Sequence, residues 1–548
     1  MNSVAIMGAS TDDTMIAARF ALPMTDKSLF PSHRWALFAI IAFTLALAGC
    51  GGSSGNSLLS NPPPPPSPPP PGNPVGANLT QISSDPFTSA TEQHATEVEP
   101  HVFANGSTLV ATFQIGRSPA YAGGSTGIGW ATSSDGGATW TRGVLPGLTA
   151  GDAQARGPYN RASDPEVAYD AKHQVWMIAS LPISDTAATP AVMVSRSTDG
   201  GMTWKSPVAV DTSAVSSDKN WIVCDSYSAS PHYGNCYIEW DDFANGDQIL
   251  MSTSTDGGLT WGPALPTADG ASGLGGQPLV QPNGNVVVPI QLDSFAVASF
   301  SSADGGASWT ASVTVSAIQA HTDAGGIRSG PLPSGAVDGA GTVWVVWEDC
   351  RFRAGCATND LVYSTSSDGV NWSAVTRVPI DQTSSTGDYF IPGIGIDPLT
   401  SGPSAHVAIH YYYYPQTNCT TATCQLYVGF ISSGNGGSTW NQPATLTGPM
   451  QLSWLPNSQN GLMVGDYIAT AFTNGVPHGV FAVAQANSGS VFSEATYTAQ
   501  GLTTAPTQRQ LSSALDRPLH KLSDKIERER PEKAVIPPQK RRARGSAK

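Results

Sequence analysis

An eight-residue pattern, Ser-x-Asp-Gly-Gly-x-Thr-Trp, recurs along this 548-residue chain and limits what it can fold into. Ser133 to Trp140, Ser197 to Trp204 and Ser254 to Trp261 fit it, and Ser302 to Trp309 differs only by Ser308 in place of threonine. Ser366 to Trp372 is one residue short, and Ser433 to Trp440 carries Asn435 where the others have aspartate. The tryptophans stand 64, 57, 48, 63 and 68 residues apart, which suits one four-stranded antiparallel unit per copy.

The residue types suit a hairpin turn. Aspartate or asparagine is expected to accept hydrogen bonds from backbone amides one or two residues on, glycine takes the positive φ of the reversal, and tryptophan folds back over the turn. Apolar stretches such as Ala191 to Ser195 and Leu361 to Ser364 precede the copies, as strands would. Glycine numbers 57 and only 12% of residues are charged, while extended helical periodicity is missing. The expected class is all-β with few helices, and the aspartates of the repeat are structural.

These motifs resemble the bacterial neuraminidase repeats, or aspartate boxes, of the sialidase superfamily over roughly residues 95–490. The resemblance implies a β-propeller of four-stranded blades, with the box turns on the face away from any central ligand. Counting boxes gives six blades. Counting the hairpins expected to form the inner two strands of each blade gives seven, the last over Met463 to Val483 without a box, its outermost strand drawn from Val75 to Ile82. Seven is favoured and six is the alternative.

A sialidase clamps the carboxylate of its sugar with arginines, attacks with a carboxylate-activated tyrosine and protonates the leaving oxygen with an acid. Arg161, Arg328 and Arg351, expected on three different blades, are the clamp candidates. Tyr467 beside Asp466, or Tyr389 beside Asp388, is the nucleophile candidate, and Asp164 or Asp218 the acid. The Phe/Tyr-Arg-Ile-Pro tetrapeptide that opens the first blade of sialidases is missing. The nearest arginine, Arg117, stands instead in Ile-Gly-Arg-Ser-Pro. Two functions follow: an exo-alpha-sialidase acting on terminal acidic sugars without metal or organic cofactor, or a non-catalytic propeller that binds glycan or protein. The run Tyr411 to Tyr414 suits the second, since tyrosines serve both sugar stacking and protein contacts.

Ahead of the repeats, Trp35 to Ala48 is a fourteen-residue apolar run following Lys27 and Arg34, too short to span a bilayer. Its end, Leu47-Ala-Gly-Cys50, resembles the lipobox of bacterial lipoproteins, with lipidation at Cys50. An ordinary secretory signal is the alternative. Residues 1–49 are therefore expected to be a signal peptide, with the true start near Met24. Residues 50–74 form a Gly/Ser/Pro-rich linker whose run Pro62 to Pro71 is a stiff spacer. Residues 75–504 make the propeller, and 505–548 a basic tail of disordered character. That tail holds twelve Lys/Arg against five Asp/Glu, leaving fifteen basic and thirty-six acidic residues elsewhere, a net of −21. The expected protein is an exported monomer, lipid-anchored at a bacterial cell surface or outer membrane, with carbohydrate as partner and no nucleic acid. Cys224/Cys236, Cys350/Cys356 and Cys419/Cys424 are close pairs, expected as three disulfides. The alternative, zinc, finds no histidine pair at ligand spacing nearby.

Overall fold

The computed structural model describes residues 78–505 apart from 90, 121–122, 154, 187 and 213–215, together with the backbone of 510–511. The expected signal peptide, the lipidation at Cys50, the proline-rich linker and all but the start of the basic tail lie outside the described residues. Among the described residues helix is confined to five three-residue 3-10 turns, and the rest is strand and turn.

Among the described residues the strands pair into seven antiparallel four-stranded meanders. We number them by their first strands: Gln93–Asn105, Arg161–Asp170, Ser217–Cys224, Leu279–Val280, Ser334–Val337, Asp388–Ile396 and Ala469–Thr473. In meander 2 the chain continues through Val175–Ile183 and Met193–Ser197 to a short fourth strand, Val208–Ala209. The others repeat this plan. In meander 4 a second short strand, Gly273–Leu274, joins Leu279–Val280 on the same partner. The fourth strand of meander 7 comes from the far end of the sequence: Leu79–Gln81 pairs with Tyr497 to Ala499 of its third strand.

Burial does not follow the usual in-out alternation of an antiparallel sheet. All nine residues of Ser125–Ser133 are buried, as are all nine of Asp388–Ile396. Each meander has a neighbour on both faces, so both sets of alternating side chains are removed from water. Large and small residues take turns along such strands. In Ser125–Ser133, Ile128 and Trp130 alternate with Gly127, Gly129 and Ala131, and a Cβ on Gly129 would lie 2.2 Å from the Phe113 ring.

The apolar clusters lie between consecutive meanders. Val110, Ile128 and Trp130 meet Val167, Trp176 and Trp204; Met177 and Ala179 meet Ile238 and Trp240; Tyr237 and Met251 meet Val288 and Phe300. Further along, Val287 meets Trp347, Trp344 meets Ile409, and Tyr412 meets Phe481. Finally Val480 of meander 7 meets Leu109 and Phe113 of meander 1. Burial of each such side chain contributes about 1.5–3 kcal/mol. First strands likewise contact the first strand of the next meander, and that of meander 7 contacts that of meander 1.

Every box forms the turn between a third and a fourth strand. Its aspartate, however, reaches further than one or two residues. Asp135 accepts from the Thr139 amide at 2.9 Å and from its hydroxyl at 2.6 Å. The closer amide, Gly137, bonds instead to Ser133 Oγ at 2.8 Å, and that hydroxyl donates to Asp135 at 2.7 Å. The Thr139 bonds hold Asp135 down at about 2. The same bonds recur at Asp199, Asp256 and Asp304, and in altered form at Asp368 and Asn435.

A glycine carbonyl of the box then accepts from the meander before. Thr132 donates to Gly201 at 2.8 Å, Arg196 to Gly257 at 2.6 Å, Asn235 to Gly305 at 3.2 Å and Ser299 to Gly369 at 2.8 Å. Gln500, just past the third strand of meander 7, donates to Gly137 in the box of meander 1 at 2.8 Å. The three cysteine pairs form disulfides, Cys224–Cys236, Cys350–Cys356 and Cys419–Cys424.

Candidate functional site

First strands begin, and second strands end, at the end of the meanders opposite the boxes. Four first strands carry a bulge near that end, each with a non-glycine residue in the left-handed region: Glu99 (φ 52), Asp164 (φ 47), Lys219 (φ 49) and Ile391 (φ 49). Such backbone costs on the order of 1 kcal/mol or more per residue and persists where surrounding contacts enforce it. Proline follows the bulge residue in three of the four, at Pro100, Pro165 and Pro392.

The first three bulges bring their charged residues into one cluster. Lys219 Nζ lies 2.5 Å from Asp466, 3.3 Å from Asp164 and 3.7 Å from Asp218. Arg328, from the segment between meanders 4 and 5, grips Asp466 with both Nε, at 2.7 Å, and Nη2. Gln114 donates to Glu99 and, at 3.1 Å, to Ser163, whose hydroxyl is 2.5 Å from Asp164. Burial alone would raise Asp466, but Arg328 and then Lys219 outweigh it and hold the carboxylate far below its usual range. Burial opposes the Lys219 charge as well, and Asp164, Asp218 and Asp466 together overcome it. Glu99 has no such surplus of partners, and burial pushes it up to about 8. Asp218, at the outer side of the cluster, keeps 48% of its side-chain surface open to water.

A second tier lies beneath. His101 Nδ1 accepts from the Val167 amide at 3.1 Å and sits 2.9 Å from a Glu166 oxygen. The distance would suit an ion pair, but burial drives His101 down to about 3 and Glu166 well up, so the charged form of each is disfavoured. The Trp221 ring touches His101 on one side, 4.9 Å between centroids, and Tyr467 on the other, at 5.3 Å. Burial, and after it the neighbouring Glu166 and Glu99, push the Tyr467 phenol well above its usual value.

The residues singled out by sequence thus separate. Asp164, Asp218, Asp466, Tyr467 and Arg328 come together. Arg161 binds Asp185 at 2.7 Å and the Gly123 carbonyl at 2.8 Å, lining an open recess with Glu92, Ser118 and Asn160. Arg351 is bidentate on Asp349, at 2.8 and 2.7 Å, two residues away, and also reaches the Ala317 carbonyl. The three arginines therefore hold three different carboxylates. Tyr389 donates to Asp381 at 2.8 Å, under Arg353. Its neighbour Asp388 joins Asp323 and Glu348 in a separate buried group of acids. Among the described residues, no three His, Cys, Asp or Glu side chains are placed to hold a metal ion.

Sequence reading passed over Arg117. It ends the second strand of meander 1, is 3% exposed, and donates from Nη1 to Gln114 at 2.9 Å. Among the described residues it has no ion pair, and its buried Nε has no partner. Burial and then the neighbouring Arg328 charge pull it below the usual arginine value. Two guanidiniums thus share one cluster, and only one is neutralised by a carboxylate of its own. The Gly123 peptide lies between Arg117 and Arg161. The available signal was position: an arginine at the end of a second strand, at the same end as the bulges.

A comparison of the sequence with curated proteins gives no match. Among solved structures, the chain is similar to the Hadza microbial sialidase Hz136, with 18% identity and a TM-score of 0.40 over 58% of this chain. The match spans 64% of that sialidase, less than two thirds of its length. A protein of unknown function from Dyadobacter fermentans is 16% identical with a TM-score of 0.40, over 65% of this chain and 99% of its own. The NanB sialidase from Streptococcus pneumoniae is 14% identical with a TM-score of 0.38, over 77% of this chain and 70% of its own. Within the chain itself, residues 145–338, from the end of meander 1 to the first strand of meander 5, match the family of the BNR repeat-like domain.

Proposed function

We propose that the chain is an exported, lipid-anchored, sialidase-like β-propeller of seven blades that binds a terminal acidic sugar at the end opposite its boxes. Seven meanders with apolar clusters between successive neighbours, and a fourth strand of the last drawn from the start of the described chain, support the seven-bladed reading over six. The observation that carries the ligand is Arg117, a buried guanidinium beside Arg328 with no carboxylate of its own. A sugar carboxylate supplies the missing partner, in the bidentate geometry that arginine favours. Asp218 marks where the ligand enters, and the neutral Glu99 offers a hydroxyl rather than a repelling charge.

Binding is favoured over hydrolysis because burial raises both Glu166, the carboxyl beside Tyr467, and the phenol itself well above their usual values, which disfavours the ionised forms that a proton transfer between them would need. Turnover as an exo-alpha-sialidase is the second reading, favoured by the presence of a tyrosine, a carboxyl and an arginine in one cluster. Residues 51–548, made without the signal segment, test both. The expected result is binding of a sialylated trisaccharide and not of its desialylated form, weakened about thirtyfold or more by Arg117→Gln, as for loss of a charged hydrogen-bonded pair. Equal binding of both sugars, or of neither, overturns the reading. Release of a fluorogenic leaving group from an α-sialoside, lost in Tyr467→Phe while binding remains, establishes the second.

A further inference from the structure

Arg328, which grips Asp466 in the central cluster, stands in a segment shaped by its neighbours. Ahead of it come Ala324, Gly325 and Gly326, and both glycines are in the left-handed region, at φ 80 and 77. Two adjacent glycines leave a chain free to take many shapes, so the turn that delivers Arg328 is set by what it touches. Past the turn the anchor is backbone, the Arg328 amide donating to the Leu462 carbonyl at 2.7 Å.

The turn itself is held by two hydroxyls of meander 6. Tyr414 OH donates to the Ala324 carbonyl at 3.2 Å, and Thr421 Oγ1 donates to the Gly325 carbonyl at 2.6 Å. Tyr414 ends the second strand, Val407–Tyr414, and is fixed by it. Thr421 has no strand beneath it. It lies in the connection to the third strand, where the Cys424 amide returns to the Thr420 carbonyl at 2.8 Å and the Cys419–Cys424 disulfide closes the turn at its base. A Cβ on Gly325 would lie 2.9 Å from the Cys424 sulfur, so the disulfide also packs directly against the glycine turn.

We propose that the Cys419–Cys424 disulfide is a redox-sensitive latch on the candidate site. Closed, it presents Thr421 to Gly325 and so positions Arg328 on Asp466; opened by a dithiol, it releases the turn. Thr421 is thus a positioning residue that touches no ligand. Arg328 engages both oxygens of Asp466. Once Arg328 withdraws, that carboxylate, whose field already acts on Arg117, competes with a ligand carboxylate for the Arg117 guanidinium. Cys424 is fully buried and Cys419 only partly, so the reductant's thiolate attacks the Cys419 sulfur. The bond between the cysteines breaks and Cys424 leaves as a thiolate and takes a proton. The reductant's second thiol then displaces Cys419, leaving two cysteine thiols and the reductant oxidised to a disulfide. The effect on affinity rests on the sugar-binding reading above, whereas the placement of Arg328 does not.

The test uses residues 51–548 and two readouts. Without sugar, amide exchange over Ile327 to Gly330 should quicken about fivefold in Thr421→Val and in Cys419→Ser/Cys424→Ser, as for loss of one neutral hydrogen bond, while Val407–Tyr414 exchanges as before. Affinity for the sialylated trisaccharide should fall about fivefold in both, and Thr421→Ser, which keeps the hydroxyl, should retain it. Dithiothreitol should bring the unaltered chain to the same values and change nothing further in the double-serine variant. A further fall there assigns the redox effect to another disulfide and overturns the proposal. Unchanged exchange at Ile327 to Gly330 overturns it as well, whatever the melting temperature does, because the disulfide is then a staple alone. If the unaltered chain binds no sugar, the sugar reading falls and the exchange result still decides this one.

Discussion

Glu97 sits at the junction between the first meander and the last, and its protonation should set how firmly they hold at high pH. The residue is 2% exposed. Ser83 Oγ donates to its carboxyl and accepts from the Thr496 amide at 2.8 Å, so a single hydroxyl joins meander 1 to meander 7. Burial pushes Glu97 from 4.5 up to about 8; the Ser83 bond opposes this, and Asp85 adds to it. The unfolded chain therefore loses this proton first. The contribution to stability is fully present below pH 4.5 and is lost as pH rises to about 8. At about 1.4 kcal/mol per tenfold change in proton concentration, that interval is worth at most about 5 kcal/mol.

Glu97→Gln keeps a neutral side chain of the same shape at every pH. Melting temperatures between pH 5 and pH 9 should fall less for the variant than for the unaltered chain, by about 5 °C for a unit this large. Amide exchange at Leu79–Gln81 should accelerate with pH, beyond its intrinsic dependence, only in the unaltered chain. Parallel melting curves for the two proteins would refute the reasoning, since the carboxyl would then be titrating as it does in water.

Other perturbations test other parts of the fold. Lys219→Met strips Asp164 of its cation, and the buried unpaired charge should lower stability by about 3–5 kcal/mol in urea unfolding; an unchanged midpoint would mean the ion network is neutral to stability. Replacing Cys224 and Cys236 by serine opens a loop of sequence separation 12 and should cost about 2–3 kcal/mol by the same measurement. Asp256→Ala leaves the Thr260 amide and hydroxyl without their acceptor, and a loss of about 1–2 kcal/mol together with red-shifted tryptophan fluorescence is expected.

The meanders were legible because their determinants are local. A box encodes its turn within eight residues, and Pro100, Pro165, Pro278 and Pro392 mark inner strands by their neighbours in sequence. The cysteine pairs were equally local. Partner choice among the charged residues was not, because it depends on which strand ends meet. Arg328 and Asp466 are 138 residues apart, and no spacing rule relates them. Arg351 shows the opposite case: its partner is Asp349, only two residues earlier. Arg117 went unvalued because its importance lies in having no carboxylate paired directly to it, although Glu99, Asp164 and Asp466 are close by, and a sequence does not display what a side chain fails to touch.

The seams between meanders carry a consequence for how such a chain can change. At five of them the donors are chemically unrelated, Thr132, Arg196, Asn235, Ser299 and Gln500, whereas the acceptor is each time a glycine carbonyl of a box. A backbone carbonyl survives every substitution, so only half of each joint is exposed to mutation, and that half tolerates any side chain able to donate. Duplicating a meander copies its acceptor along with it, and the copy fits whatever precedes it. Drift of the box itself, as in the shortened box around Asp368, then leaves the joint standing. A lineage built this way can add repeats and erode their signature without coming apart.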